Sequence, residues 1–131
     1  MLKKADMEEQ FFPDSFFDGV VCFGVLYYND FGGLQKAVAE IRRILKPGGK
    51  AFIFSRTTDD YRFGKGKRVE KNTFVLDIED TNEKGMMMHF LDRSGINKIS
   101  SRFNEVTVEK TEATFSNLKK KNSDWIIVAK K

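Results

Sequence analysis

The chain is poor in the residues that would point to several kinds of chemistry. Its 131 residues contain one cysteine, one histidine, one tryptophan and two prolines. With Cys22 alone, an internal disulfide is excluded, and the simplest reading is a reduced protein of the cell interior. One cysteine and one histidine also supply no clustered metal ligands, so no metal is expected. The N-terminal stretch has no apolar signal core, and no apolar run approaches the ~20 residues of a membrane span. A soluble, cytoplasmic chain with no membrane partner is therefore expected. Net charge is only +4 with charges of both signs mixed, too mild to indicate a nucleic-acid partner.

Phenylalanine is plentiful, with thirteen copies, and the length suits one domain with a real core. Val20, Val21, Cys22, Phe23, Val25 and Leu26 form a near-continuous apolar run, the pattern of a strand buried on both faces. Leu34, Ala37, Val38, Ile41, Ile44 and Leu45 then recur at helical spacing, with Gln35, Lys36, Glu40, Arg42 and Arg43 on the remaining surface. Lys46 suits the negative end of the helix dipole, and Pro47-Gly48-Gly49 stops the helix before a second apolar strand, Ala51 to Phe54. Strand, helix and strand make one right-handed crossover of a parallel sheet.

Beyond Phe54, residues 55–72 read as a polar loop, with room for a hairpin. The loop concentrates positive charge: Arg56, Arg62, Lys65, Lys67, Arg68 and Lys71 stand against Asp59, Asp60 and Glu70. Thr73 to Ile78 alternates as a short strand. Asp80, three residues before Glu83, resembles a helix cap. The helix expected to follow carries Met87, Phe90 and Leu91 inward and stops at Ser94-Gly95. Met86-Met87-Met88 reads as gap-filling core or as an adaptable binding face. His89 on that helix reads as a packing residue or as a base. Ile96 to Phe103 is left as strand or irregular chain. Glu105 to Phe115 and Asp124 to Lys130 are strands joined by a short turn, hence antiparallel, with Lys119-Lys120-Lys121 in the solvated turn.

The wording of the first crossover is more specific than its periodicity. Phe12-Pro13-Asp14-Ser15, Phe17-Asp18, the apolar strand, and then Glu40-Ile41-Arg42-Arg43-Ile44-Leu45-Lys46-Pro47-Gly48-Gly49 resemble the second half of a class I S-adenosylmethionine-dependent methyltransferase of the type 11 group. The resemblance implies an α/β fold: a partial Rossmann-like sheet holding strands four to seven of the family order 3-2-1-4-5-7-6, with a final antiparallel strand. It makes residues 1–131 a single partial domain, with the glycine-rich cofactor-binding half expected elsewhere.

The resemblance also implies roles. Asp6 would accept a hydrogen bond from the adenine amino group, and the Met7 backbone N–H would meet an adenine nitrogen. Cys22 and Phe23 would line the methionine portion of the cofactor. Tyr27 and Tyr28 would face the methyl acceptor, with Arg62 and Lys67 selecting it from the charged loop. No catalytic residue is assigned, because an activated sulfonium needs alignment and exclusion of water rather than a fixed motif. S-adenosylmethionine is the implied cofactor, held weakly or not at all by these residues alone, so that the fragment by itself is expected to be inactive. A homodimer through the exposed edge of the strand from Val20 to Leu26 is the expected assembly. The alternative function is a non-enzymatic module that uses that edge to pair with another chain.

Overall fold

The crossover expected from the first apolar run forms the centre of the computed structural model, which describes residues 4–79 and 81–131. Strand β1 (Phe17–Cys22) leads through a loop to α1 (Phe31–Ile44) and returns as β2 (Leu45–Arg56), parallel to β1. Asp30 starts α1 by accepting the Gly33 N–H at 2.7 Å, the side-chain cap that satisfies an otherwise orphaned helix donor. Leu34, Ala37, Val38, Ile41 and Ile44 are all buried, as their spacing requires. The helix stops at Ile44 because Leu45 is already extended and Pro47 follows. Gly48 takes φ +82°, and a Cβ on Gly49 would lie 2.9 Å from the carbonyl oxygens of both Asp18 and Lys46. Proline and glycine thus let the new strand leave the helix tightly against β1.

The remaining large elements are β6 (Glu105–Phe115) and β7 (Lys120–Lys130), an antiparallel hairpin. Its tip places Ser116, Asn117 and Leu118 at positive φ. Lys119 lies in this turn, whereas Lys120 and Lys121 belong to β7. The sheet order is β1-β2-β7-β6, with the last strand inserted between the two before it. This is the order that the resemblance implies for strands four, five, seven and six. Along β2, Ala51, Ile53 and Ser55 face inward with Ile127 and Ala129 of β7, while Phe52 faces out. Both helices pack on the inward face.

A second sheet, β3 (Gly66–Glu70), β4 (Thr73–Leu76) and β5 (Met87–His89), is inserted between β2 and α2 (Arg93–Ser100). It closes over a smaller core of Tyr27, Leu76, Met88 and Phe90. The loop region expected at 55–72 therefore does hold a hairpin strand.

Three expectations are corrected here. Residues 87–89 form a strand rather than a helix, because pairing with β4 carries Met88 into the smaller core. Ser94-Gly95 begins a helix instead of ending one: Asp92 caps α2 through the Gly95 N–H at 2.7 Å, and Gly95 permits close packing, since a Cβ there would lie 2.9 Å from Leu91 Cδ2. Ile96 to Phe103, left as strand or irregular chain, is therefore helical as far as Ser100. Finally, β1 ends at Cys22 and is not buried on both faces, with Val21 71% exposed. Asp80, read as a cap, lies outside the described residues.

Candidate functional site at the carboxyl edge of the parallel strands

Open parallel sheets bind ligands beyond the carboxyl ends of their strands. Here that edge is formed by the end of β1, the end of β2, and the start of the antiparallel β7. Cys22 is half-buried, and burial pushes its thiol up to about 11, slightly opposed by the Leu26 backbone N–H. It stays a neutral, apolar wall group at physiological pH. The chain then turns at Gly24 (φ +73°), leaving Phe23 71% exposed with its ring edge-on to Phe54 at 4.8 Å. Phe23, Gly24, Tyr27, Phe54, Arg56 and Asp124 line a cleft of about 70 Å³.

Arg56 ends β2, and Asp124 lies opposite it within β7. The Arg56 Nη1 group donates at 2.9 Å to each oxygen of the Asp124 carboxylate, and the guanidinium lies 4.9 Å from the Tyr27 ring centre. Burial raises the Asp124 pKa, and the nearby Asp60 adds to this, while Arg56 and Arg62 pull the other way. Ser55 Oγ, on the inward face of β2, and Arg56 Nε, on the cleft side, are both buried with no hydrogen bond among the described residues.

A chain of charges continues from this pair. Asp60, fully buried, pairs with Arg62 at 2.9 Å and lies 3.8 Å from Arg56. Arg62 reaches Glu83 at 2.7 Å, and Glu83 accepts the Tyr28 hydroxyl at 2.9 Å. Burial works against the Arg62 charge, but Glu83 and Asp60 more than offset it and hold its pKa up. Burial, followed by the Glu83 carboxylate, pushes the Tyr28 phenol up, so it remains a donor.

The predicted site residues fall into separate places. Met7 packs against the main core and meets Asn29 of the loop after β1, 3.6 Å from amide nitrogen to sulfur. Asp6 is exposed, and one carboxylate oxygen accepts the Glu8 N–H at 2.9 Å. Cys22 ends β1 and Phe23 follows it, while the Tyr27 and Tyr28 rings lie tilted against each other, centroids 4.7 Å apart, in the following loop. Tyr28 and Arg62 meet through Glu83, whereas Lys67 stands exposed on β3 with no ion pair among the described residues. Arg62 is thus already balanced by two carboxylates. Arg56, Asp124, Asp60 and Glu83 were not singled out from sequence. The signal available for Arg56 was its position at the end of the second predicted strand, but the others depend on tertiary pairing.

Comparison with known proteins agrees with this geometry. The Methyltransferase domain family matches residues 1–53. A ubiquinone/menaquinone biosynthesis C-methyltransferase from Bordetella avium is 45% identical over 58 residues, 42% of this chain and 22% of that protein. A SAM-dependent methyltransferase from Methanosarcina mazei aligns with a TM-score of 0.77 at 20% identity, covering 98% of this chain and 66% of that one. The Burkholderia thailandensis 1,6-didemethyltoxoflavin-N1-methyltransferase, solved with S-adenosylhomocysteine, aligns at 0.63 and 14% identity, covering 97% and 48%. The chain has the fold of the class I S-adenosylmethionine-dependent methyltransferases, and the resemblance read from its sequence holds. It spans about a fifth of the length of the curated relative and at most two thirds of these structures.

Proposed function

We propose that this chain supplies the strand-four-to-seven half of an S-adenosylmethionine-dependent methyltransferase whose acceptor is selected by the loop from Arg56 to Lys71. The observation that carries the reading is the β1-β2-β7-β6 order with an aromatic cleft at the carboxyl edge of its parallel strands. The residues present suit one side of the cofactor. Asp6 has an exposed carboxylate, and Met7 sits beside the loop after β1 with its sulfur against Asn29, so the Asp6 carboxylate and the Met7 N–H are the groups this reading gives to an adenine edge. Cys22 and Phe23 offer soft and aromatic surface to a thioether chain. When bound, the cofactor supplies a methyl group already activated on a sulfonium. The chain's own work is to orient and to exclude water. Phe23, Phe54 and Tyr27 form apolar walls, Tyr28 keeps its proton, and Arg56 and Asp124 fix the mouth of the cleft. Acceptor selection falls to the loop that carries Arg62 and Lys67, where Lys67, like Lys65, has no ion pair among the described residues and Arg62 braces the loop. The 131 residues alone bind cofactor weakly and are inactive. Calorimetry with S-adenosylhomocysteine is expected to give a dissociation constant weaker than about 10 μM. Tighter stoichiometric binding would sink the partial-site reading.

A second reading concerns assembly and is favoured by the edge of β1. Among the described residues β1 has a neighbour on one side only, and Val21 and Phe23 are both 71% exposed. By contrast, the opposite edge, β6, carries Glu105, Glu109, Lys110 and Glu112, the usual protection against edge pairing. A twofold pairing of β1 with its copy would cover this apolar edge, and such an interaction module would need no catalysis. Sedimentation should then show a dimer that Val21→Lys dissociates. A stable monomer at tens of micromolar, a concentration at which an interface of about −7 kcal/mol would be populated, would overturn it.

A further inference from the structure

On the helix side of the Tyr27 loop lies a second cavity, of about 170 Å³, between the starts of both helices and the β3–β4 turn. His89 lines it and is 4% exposed. Its Nδ1 is 2.7 Å from Thr73 Oγ1, and its backbone N–H is fixed to the Tyr27 carbonyl at 2.8 Å. Thr73 is fully buried and its hydroxyl has no other partner among the described residues; donating its proton to Nδ1 is the arrangement that leaves no buried hydroxyl proton unpaired, and it puts the proton of the neutral ring on Nε2. That Nε2 group makes no hydrogen bond within the described residues. Burial outweighs the nearby Asp92 and Asp30 and lowers the His89 pKa to about 4, so the ring is neutral at pH 7.

Both acids that line this cavity accept hydrogen bonds, Asp92 through both oxygens and Glu70 through one. Glu70 accepts the Phe31 N–H at 3.3 Å. Asp92 accepts from Gly95 N–H at 2.7 Å and Asn72 at 3.2 Å, with Lys71 at 3.7 Å. Ser94 Oγ and Lys98 Nζ have no partner among the described residues, nor have the Arg93 and Ser94 N–H groups at the start of α2, whereas those of Gly95 and Ile96 are taken by Asp92. The Phe31 ring, 5.2 Å from the His89 ring, closes one wall with an apolar face.

We infer that this cavity is a binding site for a small carboxylate with a flat apolar body, its oxygens held by His89 Nε2–H, Ser94, Lys98 and the start of α2, and its body against Phe31. The site is separate from the cofactor edge, and its occupancy does not depend on methyl transfer. Because His89 is the only histidine, its imidazole Cε1–H signal is a unique reporter by NMR. Benzoate titrated into the 131-residue chain at pH 7 and constant ionic strength should move that signal saturably, with a dissociation constant below about 10 mM. Lys98 is exposed, so Lys98→Glu and Lys98→Gln should fold, and each should weaken benzoate at least about fivefold while inorganic phosphate gives no saturable shift. The assignment is overturned by a signal that does not saturate with benzoate, by saturation unchanged in both variants, or by phosphate binding as well as benzoate.

Discussion

Arg56 and Asp124 face each other across the boundary between a parallel and an antiparallel strand pair, Nη1 lying 2.9 Å from both carboxylate oxygens. Their contact fixes the register in which Arg56 pairs with Asp124 and Ser55 with Trp125. It also anchors the inserted segment, since Asp60 lies within 3.8 Å of the same guanidinium. Removing one partner leaves a largely buried charge unpaired, a costlier change than losing an exposed ion pair. Arg56→Ala and Asp124→Asn should each lower stability by about 2 kcal/mol, and the double variant should cost well under the sum. Urea unfolding of the cycle measures this. Strictly additive effects would mean that the two groups act independently.

Gly49 tests the close approach of the helix exit to β1. Alanine is ordinarily at least as acceptable as glycine in an extended segment, but its Cβ would lie 2.9 Å from two backbone carbonyl oxygens. Backbone cannot swing aside as a side chain would. Gly49→Ala should therefore destabilise by about 1–3 kcal/mol, with a lowered thermal midpoint as the readout. Gly48→Ala meets open space but sits at φ +82°, so its cost is backbone strain alone, about 1 kcal/mol.

These two sites mark the boundary of what the chain's wording conveys. The helix stripe, the Pro-Gly-Gly exit and the final hairpin were legible because each is local: a period of 3.6, a proline, and a short turn that permits only antiparallel pairing. The inserted last strand was legible only through the family resemblance. The region around His89 was misread because Met-Met-Met-His suits a helix as well as a strand. What decides it is pairing with Thr73 to Val75, a relation outside any local window. The same holds for the Asp60, Arg62 and Glu83 chain. Asp60 and Arg62 read as part of a polar, basic loop and Glu83 as the partner of a helix cap, but the three neutralise one another in the interior.

Two groups of opposite kind make stability fall in acid. The His89 pKa is depressed by burial to about 4, so the unfolded chain takes up a proton near the ordinary value of 6.5 while the folded chain does not. This contribution is fully present above pH 6.5 and is lost as pH falls toward 4. Asp92 is held below its ordinary 3.8, first by the Gly95 N–H and then by Lys71 and Asn72. Its contribution is present above that value and is lost only at lower pH. Urea midpoints should therefore decline in two stages on acidification. His89→Asn should flatten the upper stage alone. An unchanged slope between pH 6.5 and 4 in that variant would contradict the assignment.

Asp92 has a further measurable role as the cap of α2. Asp92→Ala removes the acceptor for Gly95 N–H and should cost about 1 kcal/mol, whereas Asp92→Asn retains an oxygen and should recover most of it. Amide exchange at Gly95 and Ile96 should accelerate in the alanine variant. Equal protection in both variants would show that the cap adds nothing to α2.

The central claim, that these residues form one side of a methyltransferase cofactor site, is tested most directly by backbone NMR of the 131-residue chain titrated with S-adenosylhomocysteine. Shifts should be confined to Asp6, Met7, Cys22, Phe23 and the loop through Tyr28, with an affinity weaker than about 10 μM. Saturable shifts that leave these residues untouched, or none at millimolar ligand, would contradict the claim.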